Sequence, residues 1–481
     1  MKKLLFFILA LSLILSACEL SEIENDIIES ESETIETHNK SFGVAFASSE
    51  SMDPYTTKSN LNFELMGLIC EPLFSLSETF EAYPVLCESY TYENRTYSFK
   101  IRDGVTFSDG STMTADDVVY SLRAASEQGS FFASRLASVE SIRAIGKDTV
   151  TVKLRYDNAR LPAALDIPII KSGTRNSFFP IGTGLYFPKD DKSFLVASNS
   201  HHSGKTAHYS TIRLTDIGSI DELVFEFDTH NVSILTSDPT GNSPISPMSA
   251  AKLTNVPSTR MHYIGFNTRR APFDDKAARY AVAKAIDRES ISVGDFALMG
   301  KAAALPVHPA SPLYSAEISA VLDYDGNTPL PFDDTLTILV NSENPSKLAA
   351  CKRIAETLTR LGATTTVRAL PFNEYAAALN RGDFTLYYAE TTLAPDFDLT
   401  KFFSGSLNYG GFYDSSLSSL HTAYLSGDEA SGDFFRTFCD TVPFSPIMFK
   451  DTAMYTEDGF FKSSAPTSQN VYHNFESWVV S

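Results

Sequence analysis

The sequence predicts an α/β fold, chiefly because strand and helix patterns alternate between residues 336 and 388. Residues 336–340, 364–370 and 384–388 are short runs rich in β-branched and aromatic side chains, which is typical of buried strands. Helix-period patterns at about 346–361 and 373–380 separate them. Strands joined through helices in this way form a parallel sheet, and ligands bind at the carboxyl ends of its strands.

The other elements follow the same reasoning in chain order. Residues 62–73 have helical periodicity, and residues 97–101 and 149–154 alternate like strands. Asp274 or Asp275 is expected to cap a helix at 274–286, and Ser346 to cap the helix that Gly362 ends. The tail from Asp451 is expected to hold strands and loops and no third helical domain.

The N-terminus indicates secretion and lipid attachment. Lys2 and Lys3 precede an apolar run at 4–15, which suits a secretory signal and is too short for a comfortable membrane span. The small residues Ser16 and Ala17 follow, and Cys18 comes directly after them, which is the pattern of a bacterial lipobox. We therefore expect a signal peptide at 1–17 and acylation of Cys18. The alternative is an ordinary secretory signal that contains a cysteine by chance.

Composition restricts the class of protein and its partners. The chain has 481 residues, 43% of them hydrophobic, which allows two or three folded domains. Its formal charge of −20 argues against nucleic acid or an anionic membrane face as the main partner. Residues 18–40 read as the lipidated cysteine and a disordered acidic stalk. No second long apolar run follows the signal, so we expect lipid anchoring at the extracytoplasmic face of the cell membrane.

Motifs for catalysis, cofactors and metals fail on inspection. Gly204, Lys205 and Thr206 resemble the end of a phosphate loop, but the first glycine is replaced by Asn199. The sequence contains no GxSxG, HExxH or EF-hand motif. The histidines at 201, 202 and 208 could bind a metal, but a polar loop of this kind is expected to be solvated. Carboxylates at 383–398 have no histidine or lysine close in sequence. We therefore expect no enzyme activity, no cofactor and no metal, and a protein that binds a ligand.

Four cysteines remain besides Cys18. Outside the cytoplasm a disulfide is permitted, and Cys70 with Cys87 is the nearer pair. Scattered thiols in a chain of this length are more often buried small apolar residues. Both possibilities stay open at this point.

Several stretches resemble family 5 of the extracellular solute-binding proteins, the oligopeptide, dipeptide and nickel receptors of ABC importers. The resemblance rests on these motifs: CEPLF at 70–74 with PVLCESY at 84–90, YSFKIRDGVTFSDG at 97–110 with TADDVVYS at 114–121, PIGTGLY at 180–186, and YIGFNT at 263–268 with PFDD at 272–275 and AIDRE at 285–289. They occur in the family's order from about residue 42 onward, so the resemblance covers nearly the whole mature chain.

The resemblance implies a large two-lobed fold of the periplasmic-binding-protein type, with an extra subdomain in lobe I and a ligand cleft between the lobes. Lobe I would take residues 41–262, lobe II residues 263–446, and residues 447–481 would return to lobe I. The strands that cross between the lobes would lie near 262–267 and 447–450. The implied function is capture of a peptide or peptide-like solute and its delivery to permease subunits with cytoplasmic ATPases.

The resemblance also implies ligand-binding residues. Lys58 and Asn60 match a first-lobe strand that borders the ligand, Phe132 matches an aromatic ring that packs over it, and Tyr388 lies on a second-lobe strand leading into the cleft. In peptide-binding relatives an aspartate pairs with the ligand's amine, but Leu393 or Ala394 occupies that position here. Glu390 or Asp396 would take over the role, or the ligand has no free amine.

Other functions remain open at the level of sequence. The solute could be a nickel chelate, an opine or a glycoside. The same scaffold could serve a signalling or adhesion receptor, and an extracytoplasmic hydrolase such as an esterase or glycosidase is a further alternative. Gly182 and Gly184 are expected where one chain segment passes close to another.

Overall fold

The computed structural model describes residues 41–427 and 431–480. The predictions for the signal peptide, Cys18 and the acidic stalk lie outside these residues. Within the described ranges, no helix combines the length and hydropathy needed to cross a membrane.

Helices form where the sequence supplies caps and an apolar face. In chain order they are α1 (Asn60–Ile69), α2 (Ala115–Ala125), α3 (Leu161–Ala164), α4 (Ile220–Asp228), α5 (Lys276–Lys284), α6 (Arg288–Ser290), α7 (Ala316–Ser319), α8 (Pro345–Arg360), α9 (Phe372–Arg381), α10 (Thr400–Ser404), α11 (Ser415–Ser426) and α12 (Ser431–Thr441). A π-helical turn at Ile291–Asp295 and 3₁₀ turns at Ala320–Leu322 and Phe475–Ser477 complete them.

Two caps illustrate how closely local sequence determines these bounds. Asp275 caps α5, as predicted, by accepting a hydrogen bond from the Ala277 amide at 2.9 Å. The predicted cap of α8 is wrong by two residues: Asn344, not Ser346, accepts from the Lys347 amide at 3.0 Å. Pro345 explains the shift, because proline favours the first helical position, where its missing N–H costs nothing.

The largest sheet has seven strands and is mixed. Its hydrogen-bonded order is β13-β19-β14-β18-β16-β17, with β15 paired to β19. The strands are β13 (Ile234–Ser237), β14 (Ala251–Phe266), β15 (Gly300–Ala302), β16 (Thr335–Asn341), β17 (Thr364–Leu370), β18 (Leu386–Thr392) and β19 (Phe444–Glu457). β16 pairs in parallel with both β17 and β18, which confirms the predicted β-α-β-α-β unit.

Two four-stranded sheets lie in the first half of the chain. One has the order β1-β12-β11-β10, and the other, antiparallel, has the order β5-β6-β8-β7 and packs against α2. Short two-stranded ribbons pair β2 with β9, β3 with β4, and β20 with β21. The bounds of these strands are β1 (Gly43–Phe46), β2 (Glu71–Pro72), β3 (Phe74–Leu76), β4 (Ala82–Pro84), β5 (Cys87–Glu93), β6 (Thr96–Ile101), β7 (Val139–Ile145), β8 (Thr149–Leu154), β9 (Pro168–Ile169), β10 (Tyr186–Pro188), β11 (Phe194–Ala197), β12 (Thr211–Asp216), β20 (Phe461–Ser463) and β21 (Val479–Val480).

Two large hydrophobic cores divide the described residues. The first core contains apolar residues from Phe42 to Val256 and from Met454 to Trp478. The second core contains residues from Met261 to Phe449, together with Phe80. The long paired strands β14 and β19 run from one core to the other. These strands therefore connect the two cores, while the lobe boundaries stay a prediction.

Close packing explains the first glycine of the PIGTGLY motif at 180–186. A Cβ atom at Gly182 would overlap the carbonyl oxygen of Ile69, the last residue of α1, and lie 2.8 Å from the Cys70 sulfur. The predicted close passage of two chain segments at this glycine is confirmed. The four cysteines among the described residues, Cys70, Cys87, Cys351 and Cys439, are free and buried, so Cys70 and Cys87 form no disulfide.

Candidate functional site

A cavity of about 520 Å³ opens at the carboxyl ends of the parallel strands. Asn341, the last residue of β16, and Glu390, on β18, both contribute to its wall, as does the first turn of α8. The chain leaves β16 toward β17 on one side and returns to β18 on the other. Such a reversal leaves a crevice at the strand ends, where open α/β sheets bind their ligands.

The second-core wall of this cavity carries a connected set of polar side chains. The Lys347 ammonium lies 2.9 Å from one Glu390 carboxylate oxygen, and the His262 Nε2 atom lies 3.1 Å from the other. The Nδ1 atom of His262 lies 3.0 Å from the Tyr388 hydroxyl. His262 and Tyr388 are buried, whereas about a third of the Glu390 side chain is exposed to the cavity.

Electrostatics fix the charges of this set. Burial lowers the pKa of His262 to about 4, despite the neighbouring Glu390 carboxylate, so the imidazole is neutral at pH 7. Burial raises the pKa of Glu390, but the adjacent His262 ring and the charge of Lys347 outweigh it and hold that pKa below its usual range. The wall therefore presents one carboxylate and one ammonium that neutralise each other.

A second ion cluster reaches the same cavity through Asp238 and Lys450. The Lys450 ammonium is 2.6 Å from a carboxylate oxygen of Asp238, and the Arg260 guanidinium is 3.1 Å from the other oxygen. The Lys450 side chain is buried, and this burial lowers its pKa although Asp238 opposes the shift. Asp238 thus has two cationic partners on neighbouring crossing strands, which suits a partly buried carboxylate.

A second cavity of about 330 Å³ shares Asp238 with the first. Its wall includes Asn60, Phe63 and Glu64 of α1, Thr236 of β13 and Arg260 of β14, with the remainder from Ser237, Ser243, Ile245, Val256, Thr452, Ser468, Gln469 and Val471. These residues belong mainly to the first core and to the crossing strands. The two cavities therefore form neighbouring parts of one cleft around Asp238.

Hydrogen bonds connect residues on the two sides of the cleft. The Asn344 side-chain amide donates to the Thr240 carbonyl at 2.9 Å and approaches the Asn242 side-chain oxygen at 3.2 Å. At the other end, the Asn158 amide donates to the Asp396 carboxylate at 2.8 Å. The Asp396 side chain also lines a third cavity of about 140 Å³. Its pKa is raised to about 7 by burial and by the charge of Asp398.

The structure distributes the ligand-binding residues predicted from the sequence over different places. Tyr388 and Glu390 lie together in the first cavity, and Asn60 lies in the second. Phe132 is 1% exposed and packs against Tyr55 and Phe63, which is a core position. Their roles toward a ligand stay predictions.

The segment around Lys58 differs from the expected strand. Ser59 caps α1 by accepting from the Asn62 amide at 3.3 Å, and Asn60 is the first residue of that helix. Lys58 is exposed in the loop before it. A serine followed by helical periodicity is an N-cap signal, so the helix could have been extended two residues toward the N-terminus.

Sequence reasoning missed six charged residues of the cleft, namely Glu64, Asp238, Arg260, Glu343, Lys347 and Lys450. Asp238 and Lys450 are 212 positions apart, so no local pattern connects them. Lys347 does carry a signal, because a lysine in the first turn of a helix opposes the helix dipole. A lysine at this position is therefore expected to have a role other than stabilising the helix.

The histidine loop also differs from its prediction. His201 and His202 are not solvated: their side chains are 4% and 5% exposed. The Nε2 atom of His202 lies 2.6 Å from a Glu71 oxygen, and Nε2 of His201 lies 3.0 Å from the Thr183 carbonyl oxygen. Glu71 is buried, which raises its pKa, but the two histidines lower it to about 2. These hydrogen bonds hold the loop against β2 in the first core.

The family model and the similar proteins all point to one family of solute-binding proteins. The family described as "Bacterial extracellular solute-binding proteins, family 5 Middle" matches residues 81–413. The glutathione-binding protein GsiB of Pectobacterium atrosepticum is 27% identical over 271 residues, which is 50% of this chain and 50% of the relative. The oligopeptide-binding protein AppA of Bacillus subtilis is 27% identical over 243 residues, 46% of this chain and 45% of the relative. The matched region thus spans about half the length of these curated relatives.

The fold agrees with solved structures over nearly the whole chain. The crystal structure of the ABC transporter substrate-binding protein CtaP from Listeria monocytogenes superposes with a TM-score of 0.71 at 18% identity, covering 91% of this chain and 99% of that one. At this identity the agreement concerns the fold alone. It confirms the predicted two-lobed α/β architecture.

Proposed function

The chain belongs to family 5 of the bacterial extracellular solute-binding proteins, and we propose that it captures a peptide or peptide-like solute in the cleft around Asp238. In this proposal the two lobes close on the solute, and the loaded protein delivers it to the permease subunits of an ABC importer. The protein acts by binding, without converting its ligand.

The observation that carries the proposal is the position and chemistry of the cleft. Its main cavity of about 520 Å³ falls within the usual size of small-molecule sites, and it lies at the switch point of the parallel strands. The names of the relatives support a peptide, since glutathione and oligopeptides are peptides. Side chains of both charge signs line the cavity, which suits a solute whose two ends are oppositely charged.

The proposal includes a lipid anchor. Cys18 follows a lipobox-like sequence, and its acylation would hold the protein at the extracytoplasmic face of the membrane. The residues at 18–40 would then give the folded part freedom to reach the permease. This part of the proposal rests on sequence, because these residues lie outside those described.

Mass spectrometry of solute released from gently denatured protein tests the proposal. Purification from cells grown in peptide-rich medium should yield peptides bound near one equivalent. Recovery of a metal chelate, an opine or a glycoside in place of a peptide would contradict the proposed substrate class. Hydrolysis of the recovered solute on incubation with fresh protein would contradict the binding-only role.

A further inference from the structure

Glu64 is a carboxyl group in the cleft without a cationic partner. It lies on α1, lines the second cavity and is half-buried there. Its carboxylate accepts one hydrogen bond, from the Thr236 hydroxyl at 2.5 Å. Among the ion pairs between described residues, none includes Glu64, although 14 contacts of this kind join a carboxylate to a lysine or arginine.

The other carboxylates of the cleft either have partners or are exposed to solvent. Glu343 is exposed and accepts a hydrogen bond from the Phe372 amide at 3.0 Å. Glu390 is paired with Lys347, and Asp238 is shared by Lys450 and Arg260. Asp396 accepts from the Asn158 amide and lies in a different cavity. Glu64 is therefore the acidic group of the cleft that could gain most from a cation supplied by a ligand.

A cationic group also faces this cavity with unused hydrogen-bonding capacity. The Arg260 guanidinium makes one side-chain hydrogen bond among the described residues, to Asp238, and 40% of its side chain is exposed. A guanidinium carries five N–H donors in a planar fork that fits a carboxylate. The second cavity thus combines an unpaired carboxyl group and a partly free guanidinium.

From this arrangement we infer that Glu64 binds the ammonium group of a zwitterionic ligand, whose carboxylate is directed toward Arg260. The inference rests on the proposed function and narrows its substrate class to solutes with a free amine. It assigns the amine to the first core and to α1, instead of to Glu390 or Asp396 in the second core.

The ionisation of Glu64 supports this assignment. Burial raises its pKa to about 7, and the bond from Thr236 offsets only part of the shift. Asp238 and Arg260 line the same cavity, and the buried phenol of Tyr472 is a further close neighbour. A carboxyl group with this pKa is partly protonated in the empty site at pH 7, so binding of an ammonium would release a proton.

The inference is tested with a random tripeptide library and the same library after N-acetylation. Each is incubated with wild-type protein, with Glu64→Gln and with Glu93→Gln, and retained peptides are quantified by mass spectrometry. Glutamine keeps an oxygen for the Thr236 hydrogen bond but removes the charge. Glu93 is an exposed glutamate at the end of β5 and serves as the matched control.

Wild type and Glu93→Gln should retain free-amine peptides at least about thirtyfold better than acetylated ones, because a buried charge pair is costly to break. Glu64→Gln should lose this preference. Equal retention of both libraries by wild type, or an unchanged preference in folded Glu64→Gln, would overturn the inference and leave the proposed function standing. Retention of neither library by wild type would overturn the proposed function and the inference with it.

The pH dependence of wild-type binding gives a measurement that does not depend on the variant's folding. Affinity for free-amine peptides should rise about tenfold between pH 5.5 and pH 6.5, since binding requires Glu64 to lose its proton. The affinity should stop rising near pH 8, where the peptide amine itself deprotonates. An affinity that is constant from pH 5.5 to pH 7 would contradict the role of Glu64.

Discussion

The pair formed by Lys347 and Glu390 permits a quantitative test of the cleft's electrostatics. The ammonium and the carboxylate are 2.9 Å apart, and the two side chains are 10% and 34% exposed. Breaking a fully buried pair costs about 3–5 kcal/mol, whereas an exposed pair contributes about 0.2–1 kcal/mol. Because Glu390 is one-third exposed, we expect Lys347→Met to lower the free energy of unfolding by about 1–3 kcal/mol.

Two further effects modify this value. Methionine keeps the apolar stem of lysine, so little packing is lost. It also removes a positive charge from the first turn of α8, and a positive charge there is destabilised by the helix dipole by about 0.3–1 kcal/mol. Removing it therefore offsets part of the loss. The net loss should therefore lie in the lower half of the range.

A double-mutant cycle measures the pair directly. Urea unfolding of Lys347→Met, Glu390→Gln and the double variant should give a coupling energy of about 1–2 kcal/mol, with the double variant more stable than additivity predicts. The pKa of His262, held at about 4 by burial, should rise in Lys347→Met, because the lysine charge that disfavours its protonation is gone. Imidazole NMR signals follow this change. Additive losses together with an unshifted His262 would show that the pair does not form in solution.

Four other outcomes follow from the sequence and structure. Cys18→Ser should shift the protein from the membrane fraction to soluble or precursor form; unchanged fractionation as processed, membrane-bound protein would exclude the anchor. Small-angle scattering should give a smaller radius of gyration with bound ligand, and an identical radius at saturation would argue against closure. Gly182→Ala should destabilise the fold by at least about 1–3 kcal/mol in urea unfolding, because its Cβ would overlap the Ile69 carbonyl, and a neutral effect would refute that packing. Burial raises the pKa of Asp166 to about 7, against the charge of Arg135, so its contribution to stability is lost as pH rises from about 4 to about 7. Asp166→Asn should therefore gain stability relative to wild type between pH 5 and pH 8, by up to about 3 kcal/mol, and a difference independent of pH would refute the shift.

The fold could be predicted because local and family patterns agree. β17 occupies the predicted residues 364–370, and β16 exceeds its predicted range by one residue at each end. The sequence predicts β18 at 384–388, whereas the strand spans Leu386–Thr392, because it pairs with β14 over seven residues as well as with β16. Where the partner strand is more than 100 residues away in sequence, tertiary pairing and not the local pattern determines where a strand ends.

The site was less accessible to sequence reasoning. Glu390 was proposed from resemblance, but its partner Lys347 lies 43 positions earlier on a different element. Glu64 stands in a helix-period stretch where a charged residue reads as part of a solvated face. Only the approach of β13 and β14 to α1 converts that face into a cavity wall. Ligand contacts in a cleft between lobes depend on chain segments that local periodicity does not relate.

The contacts across the cleft are of a strength that a ligand can control. Asn344 with Thr240, Asn158 with Asp396, and the Tyr156 hydroxyl with Asp398 at 2.7 Å connect segments on its two sides. Hydrogen bonds of this kind contribute about 0.5–1.5 kcal/mol each, and those to charged groups about 1.5–3 kcal/mol. Together they amount to a few kcal/mol, which is comparable to the differential affinity needed to shift a two-state equilibrium from mostly open to mostly closed. The Lys347–Glu390 pair would not oppose the proposed closure, because both residues lie on the same wall of the cleft. In the proposed mechanism, a solute that contacts Glu64 on one side and the α8 wall on the other would add its free energy to these weak contacts only when the lobes are closed, and this difference would allow binding to select the closed form.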